Sequence, residues 1–431
     1  MKLKTFHTVK NTLRDIIKGS PFEGHVYCVG GCVRDMLLHR PIKDIDLVVD
    51  LPNGGINLAL WLKEQGHVLG SVVTYPHFGT AMFTLKKVHD VELEAVQTRK
   101  EVYRDMESRN PETVFGTILE DSERRDFTYN ALYLNLSDDT INDFHNGDRI
   151  QDLKDNVMRT CGEPDLIFSD DPLRILRCIR FKVRYHSEIT KETYDGLSRN
   201  VNRLAIISKE RIHDEVIKML SCDGANDAVD MLFNIGAMRY VFPSLRVPYN
   251  PAVYSSKITG IGSVDYRINI AILLRLMRPE EAVADLKYLK FSNEDIKYIE
   301  FLLNKRGCIY AALNSYDWYL RDLQLSCGTY ERFIDKCKLI SVQSNVVQVL
   351  PMDDIIAKTD KMVEDGTAMF GYKLPVNGND IMEVLNIGPC AKIQEILNSL
   401  LFYACKHPKA TKEEFIDNIK QAYGGLNGNM G

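Results

Sequence analysis

The chain has 431 residues, 45% apolar and 26% charged, with a net charge of −5 and an isoelectric point near 6.1. This length predicts two to four domains, and the acidic balance argues against a protein that coats nucleic acid indiscriminately. No window approaches 18 consecutive apolar residues, and the first residues lack the apolar core of a signal peptide. The ten cysteines form no CxxC pair. We therefore expect reduced thiols, no transmembrane helix and a cytoplasmic location.

The predicted elements change in character along the chain. After an opening amphipathic helix, apolar runs alternate with glycine-containing loops, at Gly66, Gly70 and Gly79 among others, up to about residue 160. The predicted strands are Val26–Val29, Asp46–Val49, Thr80–Leu85, Val91–Val96, Ala131–Asn135 and Thr140–Phe144, with the clearest helix at Ile56–Glu64. From residue 171 the period is helical, with breaks near 245–262 and 341–351. This pattern predicts an α+β fold: an N-terminal part with a mixed β-sheet and helices, then an elongated all-α half.

The stretch Tyr27–Asp50 combines three signals: a Gly30-Gly31 pair, a short amphipathic segment containing Arg34, and a DID triplet. Alternation along the third segment predicts that Asp44 and Asp46 point to one face at the end of a sheet. Two carboxylates this close repel each other unless a cation lies between them, and Mg²⁺ prefers oxygen ligands. A solvent-facing edge strand is the alternative. The glycines and Arg34, which suit a phosphate, favour phosphoryl transfer.

A second strand carries acids with the same alternation. Glu92 and Glu94 share one face of the strand predicted at Val91–Val96. If this strand pairs with the one that carries Asp44 and Asp46, Glu94 becomes a third acid at the metal. A solvated strand face is the alternative.

Two clusters of charge farther along the chain suit a nucleotide. Arg125 has the fork geometry that matches triphosphate oxygens, and Asp126 can accept a hydrogen bond from a ribose hydroxyl. A surface salt-bridge cluster is the alternative here. The segment Tyr103–Leu119, just upstream, has the composition of a mobile loop.

The next charged segment begins at Asp170-Asp171-Pro172, where proline and the acids predict a helix start. In that helix Arg174, Arg177, Arg180 and Arg184 recur at spacings of three, three and four residues. The stripe is either a solvated face or a recognition surface. Arginine donors match base edges and aspartate accepts from exocyclic amines, so Asp171 and Arg174 together can recognise a base without a template.

Together these motifs resemble those of the class II nucleotidyltransferases, the superfamily of tRNA CCA-adding enzymes and bacterial poly(A) polymerases. The resemblance rests on VGGCVRD (29–35) with DID (44–46), RRDFTYNA (124–131), DDPLRILRCIRF (170–181), SKERIHDEVIKML (208–220) and LPVNGNDIMEVLNIGPCAKIQEIL (374–397). The segments occur in the family's order and span essentially the whole chain. The resemblance implies a catalytic head (1–160), a helical neck for base recognition (161–245), a helical body (246–345) and a tRNA-binding helical tail (346–431).

The resemblance also implies roles for individual residues. The implied metal ligands for Mg²⁺ are Asp44 and Asp46, with Glu94 assisting catalysis. The implied nucleotide contacts are Gly30, Gly31, Arg34 and Arg125 for the triphosphate, Asp126 for the ribose, Asp171 and Arg174 for the base, and Arg177 and Arg180 in support of that pocket. Some members of the family carry Glu where this chain has Asp170, so Asp170 receives less weight.

The implied activity is template-independent addition of CCA to the 3′ acceptor end of tRNA from CTP and ATP, with release of pyrophosphate. No membrane and no obligate protein partner is implied. A poly(A) polymerase or a CC-only or A-only tRNA enzyme is the nearer alternative, although residues 66–85 lack the basic segment typical of poly(A) polymerases. A non-catalytic tRNA-binding protein is the alternative from another class.

Overall fold

A computed structural model describes residues 3–102, 112–246, 254–256, 258, 265–304, 317–341 and 352–424. The chain divides into two compact units, residues 1–241 and residues 242–431. The first unit carries a mixed β-sheet and helices, and the described part of the second is helical, as predicted. The finer division into four parts stays a prediction.

The first unit is built on a seven-stranded sheet in the order β3-β4-β5-β2-β1-β8-β9. Neighbouring strands are antiparallel except β2 and β5, which are parallel and make the sheet mixed. The strands described in the chain are β1 (Val26–Val29), β2 (Ile45–Val49), β3 (Val68–Tyr75), β4 (Thr80–Leu85), β5 (Val88–Gln97), β6 (Arg99–Val102), β7 (Glu112–Phe115), β8 (Tyr133–Asn135), β9 (Ile141–Asn142), β10 (Val157–Met158) and β11 (Glu188–Ile189).

The sheet departs from the predicted pattern in several places, among them β3, which was not predicted, and β5, which is longer than predicted. The placement of Gly70 in a loop is wrong: the residue lies within β3 with φ +71°, at an irregularity in the pairing with β4 that a glycine accommodates. The strand predicted from Ala131 begins only at Tyr133, because the preceding residues form a 3₁₀ turn. The strand predicted at Thr140–Phe144 is reduced to two residues, and Phe144 has φ +57°.

The helices of the first unit bury one face each, as α1 does with Phe6, Val9, Leu13 and Ile17. They are α1 (Leu3–Ile17), α2 (Gly31–Leu37), α3 (Gly54–Glu64), α4 (Ile118–Glu123), α5 (Asp148–Lys154), α6 (Pro164–Asp170), α7 (Leu173–Tyr185), α8 (Lys191–Asn200), α9 (Lys209–Leu220), α10 (Ala225–Asn234) and α11 (Met238–Val241), with 3₁₀ turns at Pro76–Phe78, Thr128–Asn130 and Val201–Ile206. Helix α9 begins after Ser208, whose side chain accepts from the backbone N–H of Arg211.

The described helices of the second unit are α12 (Tyr266–Leu274), α13 (Pro279–Tyr288), α14 (Asn293–Leu303), α15 (Asp317–Cys327), α16 (Tyr330–Ser341), α17 (Met352–Glu364), α18 (Gly378–Leu385), α19 (Lys392–Lys406) and α20 (Lys412–Tyr423). Helices α18 to α20 pack around a core that includes Leu385, Leu400 and Phe415. Among the helices that the structure describes, none has both the length and the apolar character needed to cross a membrane. The cysteines within the described ranges are free, and most are buried.

The segment predicted to be a mobile loop, Tyr103–Leu119, is structured in part. Residues 103–111 lie outside the described ranges. Glu112–Phe115 form β7, which pairs with β6, and α4 begins at Ile118. The prediction of a loop is therefore wrong for the described residues, because β7 finds a partner strand that the local sequence does not reveal.

Candidate active site

Three acidic residues lie near one another where β2 and β5 begin to run side by side. The register of these parallel strands pairs Asp46 with Glu94, so the condition under which Glu94 joins the two aspartates is met. Asp44 lies directly before β2, and all three acids are exposed, whereas Ile45 and Leu47 are buried. The alternation therefore turns the acids of β2 to one face, as predicted. We call Asp44, Asp46 and Glu94 the acid edge.

The glycine pair lies against this edge. Strand β1 is antiparallel to β2 and ends at Val29, opposite Asp46, so the chain turns at Gly30 beside the acid. Gly30 has φ +74°, which favours glycine. A Cβ atom there would lie 3.9 Å from Asp46 Oδ2 and 3.9 Å from Arg125 Nη1. The turn therefore brings backbone, carboxylate and guanidinium within a few ångströms of one another.

The acid edge is short of positive charge. Desolvation by the cleft walls, with the carboxylates of Glu94 and Asp44, raises the pKa of Asp46 to about 6 even though Arg125 opposes the shift. A divalent cation would relieve this repulsion, and carboxylates are the ligands that Mg²⁺ prefers. Within the described ranges, no three His, Cys, Asp or Glu side chains converge closely enough to hold a metal ion. The donor set fits a cation held by few carboxylates, with other positions left for water or phosphate oxygens.

A second set of charges lies at the wall of the same cleft and directly behind it, and each member has a hydrogen-bond partner. We call Asp121, Arg124, Arg125, Asp126 and Arg177 the arginine floor. The carboxylate of Asp121 is inaccessible to solvent and accepts from Arg124 at 2.7 Å, from Arg125 at 3.0 Å and from the Tyr133 hydroxyl at 2.7 Å. Although burial opposes ionisation, the two arginines hold the pKa of Asp121 far below its usual range. Arg125 is thus fixed in place, with Nη1 towards Gly30.

Asp126, the predicted ribose contact, is 8% exposed and already has partners. Its Oδ2 accepts from Arg177 Nε at 2.9 Å and Nη2 at 2.6 Å, and its Oδ1 accepts from the Phe127 N–H and from Asn130. Burial raises the pKa of Asp126, but Arg177 and Asn130 outweigh it and lower the pKa to about 2. Arg177, predicted to support the base pocket, therefore binds the ribose-side acid in this structure.

The residues predicted to recognise the base lie at the start of α7. Asp171 Oδ1 accepts from the backbone of Leu173, and Oδ2 accepts from Arg211 Nη2 at 2.8 Å. Arg174 donates to the carbonyls of Ile167 at 3.1 Å and Arg124 at 2.8 Å. Two backbone carbonyls thus fix the plane of Arg174, while its remaining N–H groups are available for further bonds.

Two of the predicted nucleotide contacts are turned inward. Arg34 is 6% exposed, is paired with Asp35, and lies over the ring of Tyr185 at 4.6 Å. Arg180 is 8% exposed and donates to the buried carboxylate of Glu215. Both side chains border the cleft, yet their strongest contacts are within the protein.

Two cavities flank Asp46 and share Asp46, Arg125, Asp126 and Arg177. The base-side cavity, of about 390 Å³, is also lined by Glu94, Arg99, Arg124, Asp171, Arg174 and Arg211. The glycine-side cavity, of about 340 Å³, is also lined by Gly30, Gly31, Arg34, Lys43, Asp44, Asn130, Arg180, Arg184 and Lys218. In both linings the basic side chains outnumber the carboxylates, so each suits a phosphorylated ligand.

The structure thus brings every predicted site residue to one cleft, although their individual roles stay predictions. It adds Asp121, Asn130 and Arg211, which sequence reasoning missed. The local sequence shows Asp121 as one acid of a charged helix, and only tertiary contacts bury it. Arg211 and Asn130 lie within segments that carry the resemblance, which was the available signal for them.

Two family models match separate segments of this chain. Residues 26–159 match the Poly A polymerase head domain, and residues 188–247 match the model described as the probable RNA and SrmB-binding site of polymerase A. The first match contains the acid edge, the glycine pair and most of the arginine floor.

Similarity to curated proteins extends beyond these models. The chain is 27% identical to the tRNA nucleotidyltransferase cca1 of Schizosaccharomyces pombe, over 91% of this chain and 90% of that protein. It is 25% identical to the CCA-adding enzyme of Staphylococcus saprophyticus, over 84% and 85% of the two chains. It is also 28% identical to the Poly(A) polymerase I of Salmonella typhimurium, but over only 55% of this chain and 50% of that protein.

A solved structure has the same fold. The Bacillus stearothermophilus CCA-adding enzyme, solved in complex with CTP, superposes with a TM-score of 0.74 at 20% identity, covering 97% of this chain and 98% of that one. At 20% identity, this similarity shows only that the two chains share a fold.

Proposed function

Because the chain belongs to the superfamily of tRNA CCA-adding enzymes and bacterial poly(A) polymerases, we propose that it adds C, C and A to the 3′ end of tRNA from CTP and ATP. The observation that carries this proposal is the acid edge beside Arg125 in a cleft whose basic side chains outnumber its carboxylates. Attack of the tRNA 3′-hydroxyl on the α-phosphate forms a new phosphodiester and breaks the bond to the β-phosphate, releasing pyrophosphate.

In this proposal the acid edge holds the metal. Asp44 and Asp46 would bind divalent ions, with Mg²⁺ as the expected species and Glu94 assisting. When bound, such ions lower the pKa of an attacking hydroxyl and neutralise charge on the phosphates. The raised pKa of Asp46 supports this role, because the site disfavours ionised carboxylates that lack a cation.

The arginine floor would orient the nucleotide. Arg125 is held by Asp121 and Tyr133 before any ligand arrives, so its Nη1 is a preorganised donor for the triphosphate. Gly30 and Gly31 let the phosphates approach the backbone closely. Asp126 would then accept a hydrogen bond from a ribose hydroxyl, since it lines the same two cavities as Arg125.

Base choice would depend on Asp171 and Arg174 at the start of α7. The carbonyls of Ile167 and Arg124 fix the plane of Arg174, and a fixed guanidinium discriminates between donor and acceptor edges of a base better than a mobile one. Asp171 is shared with Arg211, so an exocyclic amine would compete with that arginine for the carboxylate.

The helical second unit would bind the body of the tRNA through phosphate contacts, so affinity should fall as salt rises. An affinity that stays flat between low and moderate salt would contradict this part of the proposal. A cytoplasmic location and independence from an obligate protein partner belong to the same proposal.

A poly(A) polymerase is the second candidate, favoured by the 28% identity to Poly(A) polymerase I over 55% of this chain. The 27% identity over 91% of this chain to a tRNA nucleotidyltransferase favours CCA addition instead. The deciding assay supplies tRNAs that end before C, after C or after CC with CTP, ATP or both, and sequences the products. Addition that stops at CCA is expected. Long A tails, or products that stop at CC, would refute the proposal, and no incorporation would favour a non-catalytic tRNA-binding protein.

A further inference from the structure

Asn130 lies between the predicted ribose contact and a predicted triphosphate contact. Its Nδ2 donates to Asp126 Oδ1 at 3.1 Å, and its Oδ1 accepts from Arg34 Nη1. The residue is 6% exposed and lines the glycine-side cavity. The amide can have only this orientation, because a guanidinium offers donors alone and an ionised carboxylate offers acceptors alone.

The carboxylate of Asp126 is saturated before a nucleotide binds. Its Oδ1 accepts from the Phe127 N–H at 2.8 Å and from Asn130, and its Oδ2 accepts two N–H groups of Arg177. An ionised carboxylate has about four acceptor positions. A ribose hydroxyl can therefore bind Asp126 only by replacing one of these four donors.

The four donors differ in how firmly they are held. The Phe127 N–H belongs to the backbone and cannot turn away. Arg177 carries a full charge and makes the shortest contact, 2.6 Å, so its displacement would cost more than that of a neutral donor. The Asn130 amide is neutral, lies at 3.1 Å and can rotate about its side-chain bonds. It is the donor that a hydroxyl displaces most readily.

We propose that Asn130 is a positioning residue for sugar recognition. The ribose hydroxyl takes the place of the Asn130 amide on Asp126 Oδ1, and the displaced amide donates to the hydroxyl oxygen. A deoxyribose lacks the hydroxyl and leaves the Asn130–Asp126 bond closed. This inference rests on the proposed function, in which Asp126 contacts the sugar.

The exchange also links the sugar to the phosphates. The same amide holds Arg34 Nη1, so movement of Asn130 releases one arm of Arg34 while Nε and Nη2 stay on Asp35. Arg34 lines the glycine-side cavity together with Gly31, so an arm that leaves Asn130 is close to the predicted phosphate site. Binding of a ribose thus makes Arg34 available to the triphosphate.

The test compares CTP with dCTP as substrates for tRNA that lacks CCA, in the parent protein and in Asn130→Ala. Asn130→Ala removes the amide that donates to the ribose hydroxyl and leaves the Nη1 arm of Arg34 free with either sugar, so the ratio of kcat/KM for CTP to that for dCTP should fall by about fivefold to tenfold, the effect of one hydrogen bond. General damage to the fold would lower both values equally and leave the ratio unchanged. Asn135→Ala is the matched control, because Asn135 is also buried in this unit but lines neither of the two cavities.

A ratio in Asn130→Ala within about twofold of the parent ratio would overturn the inference. If that variant does not fold, Asn130→Asp keeps the shape, replaces the donor by an acceptor, and should lower the same ratio. If the parent incorporates neither nucleotide, the proposed function fails on its own. The sugar preference is then measured as the ratio of the dissociation constants for CTP and dCTP, with the same expected loss.

Discussion

Two groups of carboxylates lie at one cleft or directly behind its wall, and they differ in how much positive charge contacts them. At the acid edge, Asp46 stands beside Asp44 and Glu94, and its pKa is raised to about 6. On the arginine floor, Asp121 and Asp126 are buried among arginines, and the pKa of each is lowered. The same residue type is thus poorly compensated at one side of the cleft and fully compensated at the other.

This difference in charge compensation suits the two groups to two different roles. A carboxylate without a counter-ion destabilises the folded protein and gains from a bound cation, so the acid edge is suited to ligand chemistry. A buried carboxylate with several donors stabilises the arrangement of those donors, so the arginine floor is suited to preorganisation. Substitutions at the two places should therefore affect different measurements.

The largest expected effect is on activity at the acid edge. Asp46→Ala, and separately Asp44→Ala, should reduce nucleotide incorporation at least about a thousandfold, because each removes a predicted metal ligand. Thermal stability should be unchanged or slightly raised, since the substitution at Asp46 removes a repelled charge. Incorporation and melting temperature measured on the same preparation check both statements. Near-normal incorporation by either variant would exclude the assigned role.

The next largest effect is on stability at the arginine floor. Asp121→Asn should cost about 3–5 kcal/mol, because it removes the fully buried charge that compensates the partly buried Arg124 and Arg125. The measurement is urea unfolding in a Trp318→Phe background, where Trp61 becomes the only tryptophan and reports on the first unit. Asp165→Asn is the control, because its ion pair with Arg199 is exposed and should contribute less than about 1 kcal/mol. Equal losses of unfolding free energy in the two variants would show that the buried carboxylate of Asp121 stabilises the fold no more than an exposed one.

A third effect tests whether the pKa of Asp126 is lowered in the folded protein, as its contact with Arg177 predicts. Its folded pKa of about 2 is lower than the unfolded value of about 3.9, so ionisation of the group stabilises the fold above pH 4. The difference in unfolding free energy between the parent and Asp126→Asn should include about 2–3 kcal/mol that is present at pH 6 and lost as the pH falls from 4 to 2. A difference that is constant over this range would show that Arg177 does not lower the pKa of Asp126.

The two sides of the cleft also differ in how far the sequence predicts them. The acid edge follows from local alternation in DID and in VELEAV, and the glycine pair marks the turn beside it. The parallel pairing of β2 with β5 was expected only conditionally, because helix α3 and the two strands β3 and β4 separate them in the chain, and local sequence does not determine such a pairing. Val26–Val29 and Thr80–Leu85 have the predicted bounds, since their apolar runs end at turn residues.

The arginine floor could not be predicted in the same way. The sequence EDSERRDF is equally compatible with a solvated surface. In the structure, Asp121 is buried beneath Tyr133, and the arginines of this segment point towards it. Arg34 has the composition of a phosphate contact, but stacking on Tyr185, 151 positions farther along the chain, holds it in the interior. Long-range packing, not local pattern, decides which arginines face the ligand.

A fourth effect concerns base choice at Arg174, at the start of α7. Arg174→Ala should lose about 1–3 kcal/mol of discrimination between CTP and UTP, measured as a ratio of kcat/KM values. Binding of tRNA should change little, because Arg174 lies in the base-side cavity. Arg199→Ala removes an exposed arginine of the same unit and serves as the control. Unchanged specificity in Arg174→Ala would exclude the base-recognition role.

The smallest expected effect distinguishes two acids on one strand. Glu94 and Glu92 are both exposed on the same face of β5, but only Glu94 lies opposite Asp46, while Glu92 lies opposite Thr84 on β4. Glu94→Gln should lower incorporation about tenfold, because it removes an assisting carboxylate, and Glu92→Gln should leave it within about twofold of the parent. If the two variants lose activity equally, general surface charge explains the effect, and the acid edge reduces to Asp44 and Asp46.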